Sequence, residues 1–494
     1  MRTSAEAPIV EQGRNCWQIA RADRAAVIVD AADYYRIVRQ AMLNAEHRIL
    51  LIGWDFDARI QLERDEKGDH QGETLGQFLL TLARTNPGVS IDILKWDVGA
   101  LKQLGRGASM LMMMRWAMTK AITFKFDHAH PTGCSHHQKI VVIDDAFAVC
   151  GGIDMTGDRW DTCDHLDDDP RRTRPGGQPY MPWHDATMIV DGAAAKALAA
   201  LGHDRWQRAT GDDLPPVKGK SDPWPEELEP DFRNVDIAIA RTRAKYADFD
   251  EVIEIETLWL DLIAATRRFL YIENQYFSSG KLAAAIAKRM AEPDPPEFVL
   301  VQPVSADGWL EAKAMDGARV RLGQAIGTID TRNRFRIYTP KTKGGADIYV
   351  HAKVTIMDDV VLRIGSSNMN NRSQRLDSEC DVAIDTRLEA NAAAADTIAA
   401  LRTRLMAEHL GVAPKDVAAS FAETGSLIAT IEALQGKGKT LQLLEFEKPD
   451  AVEEYIADNE LLDPETPDEM FELPSKRGLF RRWGGRLRHL RHRT

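Results

Sequence analysis

No apolar run in this chain reaches the roughly 18 residues that a membrane-spanning helix needs. The opening residues, MRTSAEAPIVEQGRNCW, also lack the apolar core of a secretory signal. Both absences point to a soluble, cytoplasmic protein, with export by a signal-less route left open. Cysteine is scarce: Cys16, Cys134, Cys150, Cys163 and Cys380 are odd in number and scattered, without the short CxxC spacing of a zinc site. Reduced thiols follow, and Cys134 is expected to be a core or site-lining thiol rather than a nucleophile. An excess of positive charge is missing as well. The formal net charge is -12 over 494 residues, so the surface as a whole does not suit a nucleic acid, and an anionic partner must meet a local patch. With 44% hydrophobic and 28% charged residues, the chain has the composition of a globular protein, long enough for about three average domains or two large lobes.

What is present is a plan written twice. YYRIVRQAMLNAEH followed by RILLIGWDF has its counterpart in VIEIETLWLDLIAATRR followed by FLYIENQYF, and each pair leads to another helix and another strand. Strands alternating with helices predict an α/β fold of two similar lobes, each a mostly parallel sheet flanked by helices, with a site between them. HQKIVVID then places His137, Lys139 and Asp144 in the first half, and HAKVTIMD places His351, Lys353 and Asp358 in the second. A glycine follows each histidine by fourteen residues, Gly151 and Gly365, with Asp154 and Asn368 three further on. About 0.05 chance matches to HxKxxxxD are expected in a chain of this make-up, so two with matched flanks mark an internal duplication. The expected divisions are a lead-in at 1–34, repeats at 35–210 and 246–415, a Pro- and Gly-rich linker at 211–245, and an appendage at 416–494.

A histidine and a lysine one residue apart on a strand share a face. Two such pairs facing each other bring two imidazoles and two ammonium groups onto one anionic centre, for which a phosphodiester is the natural fit. One neutral imidazole can attack phosphorus and form a phosphohistidine, while the other, protonated, delivers a proton to the leaving oxygen. The lysines hold the non-bridging oxygens. Different protonation of the two histidines requires neighbouring carboxylates or dipoles; Asp185 in PWHD and Glu379 in DSECD are the candidates. Asp144 and Asp358 end their motifs at the far end of a strand, so they are assigned support, through the lobe interface or the backbone. No cluster of Asp, Glu or His has metal-ligand spacing, and a reaction without metal or other cofactor is expected.

These motifs resemble the phospholipase D superfamily, over about residues 35–415. GGIDMTGDRWDT, MPWHD, YIENQYF, IYVHAKVTIMDDVVLRIGSSNMNNRS and AEHLG look like segments of the plant and animal phospholipases D that act on phosphatidylcholine. The resemblance implies His137 as nucleophile, His351 as general acid, and Ser366 and Asn368 near the phosphate. It also implies that Asp185 orients His137 and Glu379 orients His351. Phosphatidyl transfer to an alcohol is a further implied activity. The rivals are a cardiolipin synthase-like phosphatidyltransferase, a metal-independent nuclease, and a catalytically dead membrane-binding scaffold. No calcium-dependent lipid-binding, phox or pleckstrin module is expected ahead of the first repeat.

The 476–494 tail, KRGLFRRWGGRLRHLRHRT, carries eight Lys and Arg and no acid, and sets Leu479, Phe480, Trp483, Leu487 and Leu490 near one helical face. It suits a peripheral contact with a phospholipid surface. Folding back onto the acidic run at 452–472 is the alternative. SMLMMMRWAM at 109–118 is expected as a buried helix before it is an acyl-chain entrance. The polar loop from Asp158 to Pro182 is either a cap on the site or a solvated insertion. No specific nucleic-acid partner is expected, and the chain is expected to act as a monomer.

Overall fold

A computed structural model describes residues 7–65, 72–97, 107–306, 309–445 and 463. Among them, a single 16-stranded sheet runs through both halves. The first half contributes β1 (Gln18–Val29), β2 (Arg48–Gly53), β3 (Ser90–Trp96), β4 (Ile122–Asp127), β5 (Ile140–Ile143), β6 (Phe147–Gly151), β7 (Trp183–His184) and β8 (Ala186–Asp191). The second contributes β9 (Phe232–Arg243), β10 (Val252–Ile253), β11 (Phe269–Glu273), β12 (Glu297–Val301), β13 (Phe335–Lys341), β14 (Tyr349–Val350), β15 (Val354–Met357), β16 (Val361–Gly365), β17 (Glu379–Asp385) and β18 (Thr440–Leu443).

From the centre outward the first lobe reads β1-β8-β6-β5-β2-β3-β4, and the second reads β9-β17-β16-β15-β11-β12-β13 with β18 added at its edge. The duplication is therefore strand for strand. β1 and β9 pair antiparallel from Gln18 opposite Ile239 to Ala25 opposite Phe232, and so fuse the halves. These two strands come from stretches expected to be lead-in and linker. Their sequences, QIARADRAAVIV and FRNVDIAIARTR, are β-branched and apolar enough to be strands, but their ladder partners, β8 and β9 for β1 and β17 and β1 for β9, lie far away in the chain. The expected appendage likewise supplies the helices Pro414–Thr424 and Leu427–Leu434 and strand β18.

The expectation of mostly parallel sheets is corrected. Within the 16-stranded sheet, parallel pairing is confined to β2-β3-β4 and β11-β12-β13, and the remaining ladders are antiparallel. The cause is local: each motif strand turns straight back in a two-residue hairpin. Asp144 and Asp145 have φ of 54° and 51°, and Asp358 and Asp359 have φ of 54° and 60°. Ala146 N donates to Ile143 O and Val360 N to Met357 O, closing both turns in the hand that matches strand twist.

One face of the sheet is covered jointly by the helices Gly192–Thr210, Ala395–Leu410 and Leu427–Leu434. On the other face, Ala31–Leu43 and Leu75–Thr85 pack on the first lobe, and Glu254–Ala265 and Gly280–Met290 on the second. The methionine-rich helix Gly107–Ala117 buries Trp116 and half-buries Met112 and Met113, but Met114 stays exposed, so it is an edge helix rather than a buried one.

Asp144 and Asp358 play the same part in each lobe, and it is not at the chemistry. The Asp144 carboxylate accepts the backbone N–H groups of Glu46, His47 and Arg48 at 2.7–2.8 Å. Asp358 accepts those of Arg267, Arg268 and Phe269 at 2.7–2.9 Å. Each clamps the entry of the neighbouring strand, with six residues of mostly extended chain, roughly 20 Å, between it and its motif histidine. Asp144→Ala is expected to lower stability by about 2–3 kcal/mol, read as a lower urea midpoint, with kcat per folded molecule unchanged. A selective loss of kcat would return Asp144 to the catalytic set.

Candidate active site

The two motif histidines are held by carboxylates of the opposite lobe. His137 Nδ1 lies 3.0 Å from Glu379 Oε1 and 3.1 Å from Oε2, and His351 Nδ1 lies 2.7 Å from Asp185 Oδ2. This exchanges the implied pairing, in which each carboxylate served the histidine of its own repeat. Backbone pairing across the interface explains it. His137 N donates to Ser378 O and Ser378 N to Ser135 O; His351 N donates to His184 O and Tyr349 N to Pro182 O. The residue after each pairing site is the carboxylate, so Glu379 arrives beside His137 and Asp185 beside His351. The adjacent short strands β7 and β14 pair parallel as part of the same seam.

GGID against GSSN now has a steric meaning. A Cβ on Gly152 would collide with the Asp185 carboxylate, which crosses that position to reach His351. In the second lobe the longer Glu379 leaves room for Ser366, whose hydroxyl donates to it, as does that of Ser373 at 2.7 Å. Ser366 thus holds the carboxylate that holds His137. Asn368 does border the site: its Nδ2 is 3.5 Å from Gln275 Oε1, and its Oδ1 is buried without a partner.

The lysines sit differently. Lys139 Nζ donates to His137 O at 2.8 Å and pairs with Asp154 at 3.1 Å. Lys353, fully buried, donates to His351 O and lies 3.5 Å from Gln275 Oε1, with no carboxylate at ion-pair distance among the described residues. Burial brings its ammonium down to about 7, opposed by Asp185 and helped by Lys139. Burial likewise raises Asp185 to about 6 and lifts Glu379 well above the usual carboxylate range. Both imidazoles are held well below their ordinary value, first by burial, then by Lys139 and Lys353 for His137 and by Lys353 and Arg159 for His351. The site is therefore a buried cluster of cations and bases waiting for an anion.

Several residues were not picked out from sequence. Trp54 stands edge-on to His137 at 6.2 Å and stacks on Trp96 at 5.9 Å, and Trp183 covers His351 at 5.3 Å. Arg159, over the Trp183 ring at 4.3 Å, comes from the Asp158–Pro182 loop, which is no solvated insertion: Asp161, His165 and Arg172 are buried in it. For Arg159 and Trp183 the only signal was their position inside segments that resemble a known family, and Trp54 and Trp96 lie outside those segments. His136 points away from the site, toward Ser378 and Asp127. Cys134 is buried, and burial pushes its thiol to about 12, so it is no nucleophile at neutral pH.

Paired histidines and lysines between duplicated lobes define a class of enzyme acting on phosphodiesters. The family profile for phospholipase D matches residues 41–283 and 330–436, and the chain belongs to the phospholipase D superfamily. Among curated relatives it is 26% identical to "Phospholipase D A" of Dictyostelium discoideum, over 78% of this chain and 35% of that protein. It is 26% identical to "Phospholipase D1" of Saccharomyces cerevisiae, over 78% of this chain and 28% of that one, and 24% identical to "Phospholipase D alpha 1" of Vigna unguiculata, over 75% and 63%. The chain thus spans from under a third to under two thirds of the length of these relatives. Phosphatidylserine synthase of Haemophilus influenzae Rd KW20 shares the fold, with a TM-score of 0.54 and 13% identity, covering 88% of this chain and 93% of that one.

The perturbed groups set a pH window. Asp185 must be ionised to hold His351, and Lys353 protonated to hold a phosphoryl oxygen, so kcat/KM is expected to rise as pH passes about 6 and to fall beyond about 7. Lys353→Arg, which cannot lose its charge in this range, should retain activity beyond the wild-type alkaline limb. An unchanged limb would exclude Lys353 as its source.

Proposed function

We propose that this phosphodiesterase is a phospholipase D: it cleaves the distal P–O bond of a glycerophospholipid, with phosphatidylcholine the first substrate to test. The observation that carries the reading is the crossed pair of His–carboxylate contacts, with each imidazole's Nδ1 engaged and its Nε2 left for chemistry. In the proposed reaction His137 Nε2 attacks phosphorus, the P–O bond to the head group breaks, and His351 gives the leaving oxygen its proton. Water then yields a proton to His351 and attacks phosphorus, forming the new P–O bond as the P–N bond to His137 breaks, which releases phosphatidic acid and restores His137. The anionic substrate itself supplies the field that brings His351 to its protonated form in a site where burial alone keeps imidazole neutral. Lys139 and Lys353 offset charge on the non-bridging oxygens. No step needs a metal. The stacked Trp54 and Trp96 beside His137 offer an aromatic face of the kind that receives a quaternary ammonium group.

Purified protein given mixed phospholipids and ethanol is expected to form phosphatidylethanol beside phosphatidic acid, resolved by mass. A quenched reaction should carry phosphatidyl label on His137, and His137→Asn should lower kcat by about 10³-fold or more. Label on His351 instead would exchange the two roles, and DNA degradation with lipid untouched would sink the lipid reading.

No helix among the described residues is long and apolar enough to cross a membrane. The basic 476–494 tail lies outside the described residues, and we propose it as the contact with an anionic leaflet. Truncation after residue 475 should abolish salt-sensitive sedimentation with phosphatidylglycerol vesicles while leaving turnover of a short-chain soluble diester intact. Sedimentation equal to that of the full chain would assign recruitment elsewhere.

A further inference from the structure

Behind Asp185 lies a second polar cluster that the phosphodiester chemistry does not use. Asp30, His165, His184 and Glu408 are buried or nearly so, and each points a ligand-type atom at the others, all within 4.8 Å. Glu408 Oε1 is 3.0 Å from His184 Nδ1 and 3.1 Å from His165 Nε2. Asp30 closes the figure, with Oδ1 at 3.3 Å from His184 Nδ1 and Oδ2 at 3.5 Å from His165 Nε2. Four donors held about 2.0–2.1 Å from a tetrahedral zinc ion stand about 3.3–3.4 Å from one another, and the four His–carboxylate separations here, from 3.0 to 3.5 Å, bracket that value. Asp30 Oδ2 and His184 Nδ1, both deeply buried, lack a hydrogen-bond partner although they face this centre.

The surroundings are those of ligands rather than of a simple ion pair. His184 turns its other nitrogen, Nε2, to Glu273 Oε2 at 2.9 Å, and His165 turns Nδ1 to Asp161 Oδ2 at 3.1 Å. A ligating imidazole backed by a carboxylate is the arrangement that fixes tautomer and ring orientation around a metal. Those carboxylates are themselves held, Glu273 by Tyr271 and His409, and Asp161 by Arg172. Asp30 and His165 also adopt positive φ, 65° and 45°, backbone strain that a non-glycine residue keeps only where its surroundings demand it.

We infer that Asp30, His165, His184 and Glu408 form a structural binding site for a divalent transition metal, Zn²⁺ by donor type and spacing, that ties the first lobe to the helix Ala395–Leu410 of the second. Its placement next to Asp185 makes it a positioning element for His351. The site lies outside the expected metal-free chemistry and does not alter it.

The full chain, purified without chelator and reconstituted with ZnCl₂, is expected to hold about one zinc per molecule by elemental analysis. Chelation should lower Tm and zinc should restore it, and Co²⁺ in place of zinc should show the d–d bands of a tetrahedral site. Asp30→Asn with His165→Gln should abolish the bound metal, while the milder Asp161→Asn should weaken zinc by about 10- to 100-fold with the fold kept. Less than about 0.1 equivalent of metal after reconstitution, with no change in Tm, would overturn the inference and leave a proton-held charge network. Full metal content in the double variant would overturn it equally. None of these readouts depends on lipid turnover, so a failed phospholipase assay leaves the test standing.

Discussion

The pairing of β1 with β9, and beside it the backbone bonds between Ser378 and the 135–137 segment and between the 182–184 and 349–351 segments, joins two copies of one lobe into a single sheet. The rest of the site follows from that seam. Because the strands meet head to tail about a pseudo-twofold, the carboxylate beginning β17 is delivered to the histidine of the first lobe, and the one preceding β8 to that of the second. Neither lobe alone has a finished active site. A half-molecule would leave an imidazole with no carboxylate to fix its tautomer and a buried Asp or Glu with no partner.

Burial is what makes the site reactive. Removing water from His137, His351 and Lys353 holds them in their neutral forms or near the edge of them, and the same burial raises Asp185 and Glu379. In the proposed reaction an arriving phosphodiester brings the missing negative charge, which favours the protonated forms of His351 and Lys353 while His137 attacks as neutral imidazole. The protein keeps this polar centre open in its interior because the flanking strands are almost wholly apolar. β5 is IVVI and β15 is VTIM, rigid rods that present a histidine and a lysine at one end and an aspartate clamp at the other.

The histidine cluster behind Asp185 obeys the same logic of joining distant stretches. Its residues come from the end of β1, the Asp158–Pro182 loop, β7 and the helix Ala395–Leu410, so that one buried centre touches nearly every connection that carries the active site. Strain in the backbone of Asp30 and His165 is held by that network rather than by local packing alone.

The chain of amino acids by itself determined the duplication, the two HxKxxxxD motifs, the chemistry that paired histidines and lysines support, and the distant placement of Asp144 and Asp358. These are local matters: spacing within a strand, the alternation of side chains, and repetition. The tertiary structure alone decided which carboxylate serves which histidine, that lead-in and linker are the central strands, and that residues 30, 165, 184 and 408 converge. Each of those depends on backbone partners hundreds of residues apart, and hydrogen bonding between strands leaves no periodic mark in the sequence that names the partner. Asp185 and Glu379 were both legible as candidates; their exchange was not, because proximity along the chain favours the wrong lobe.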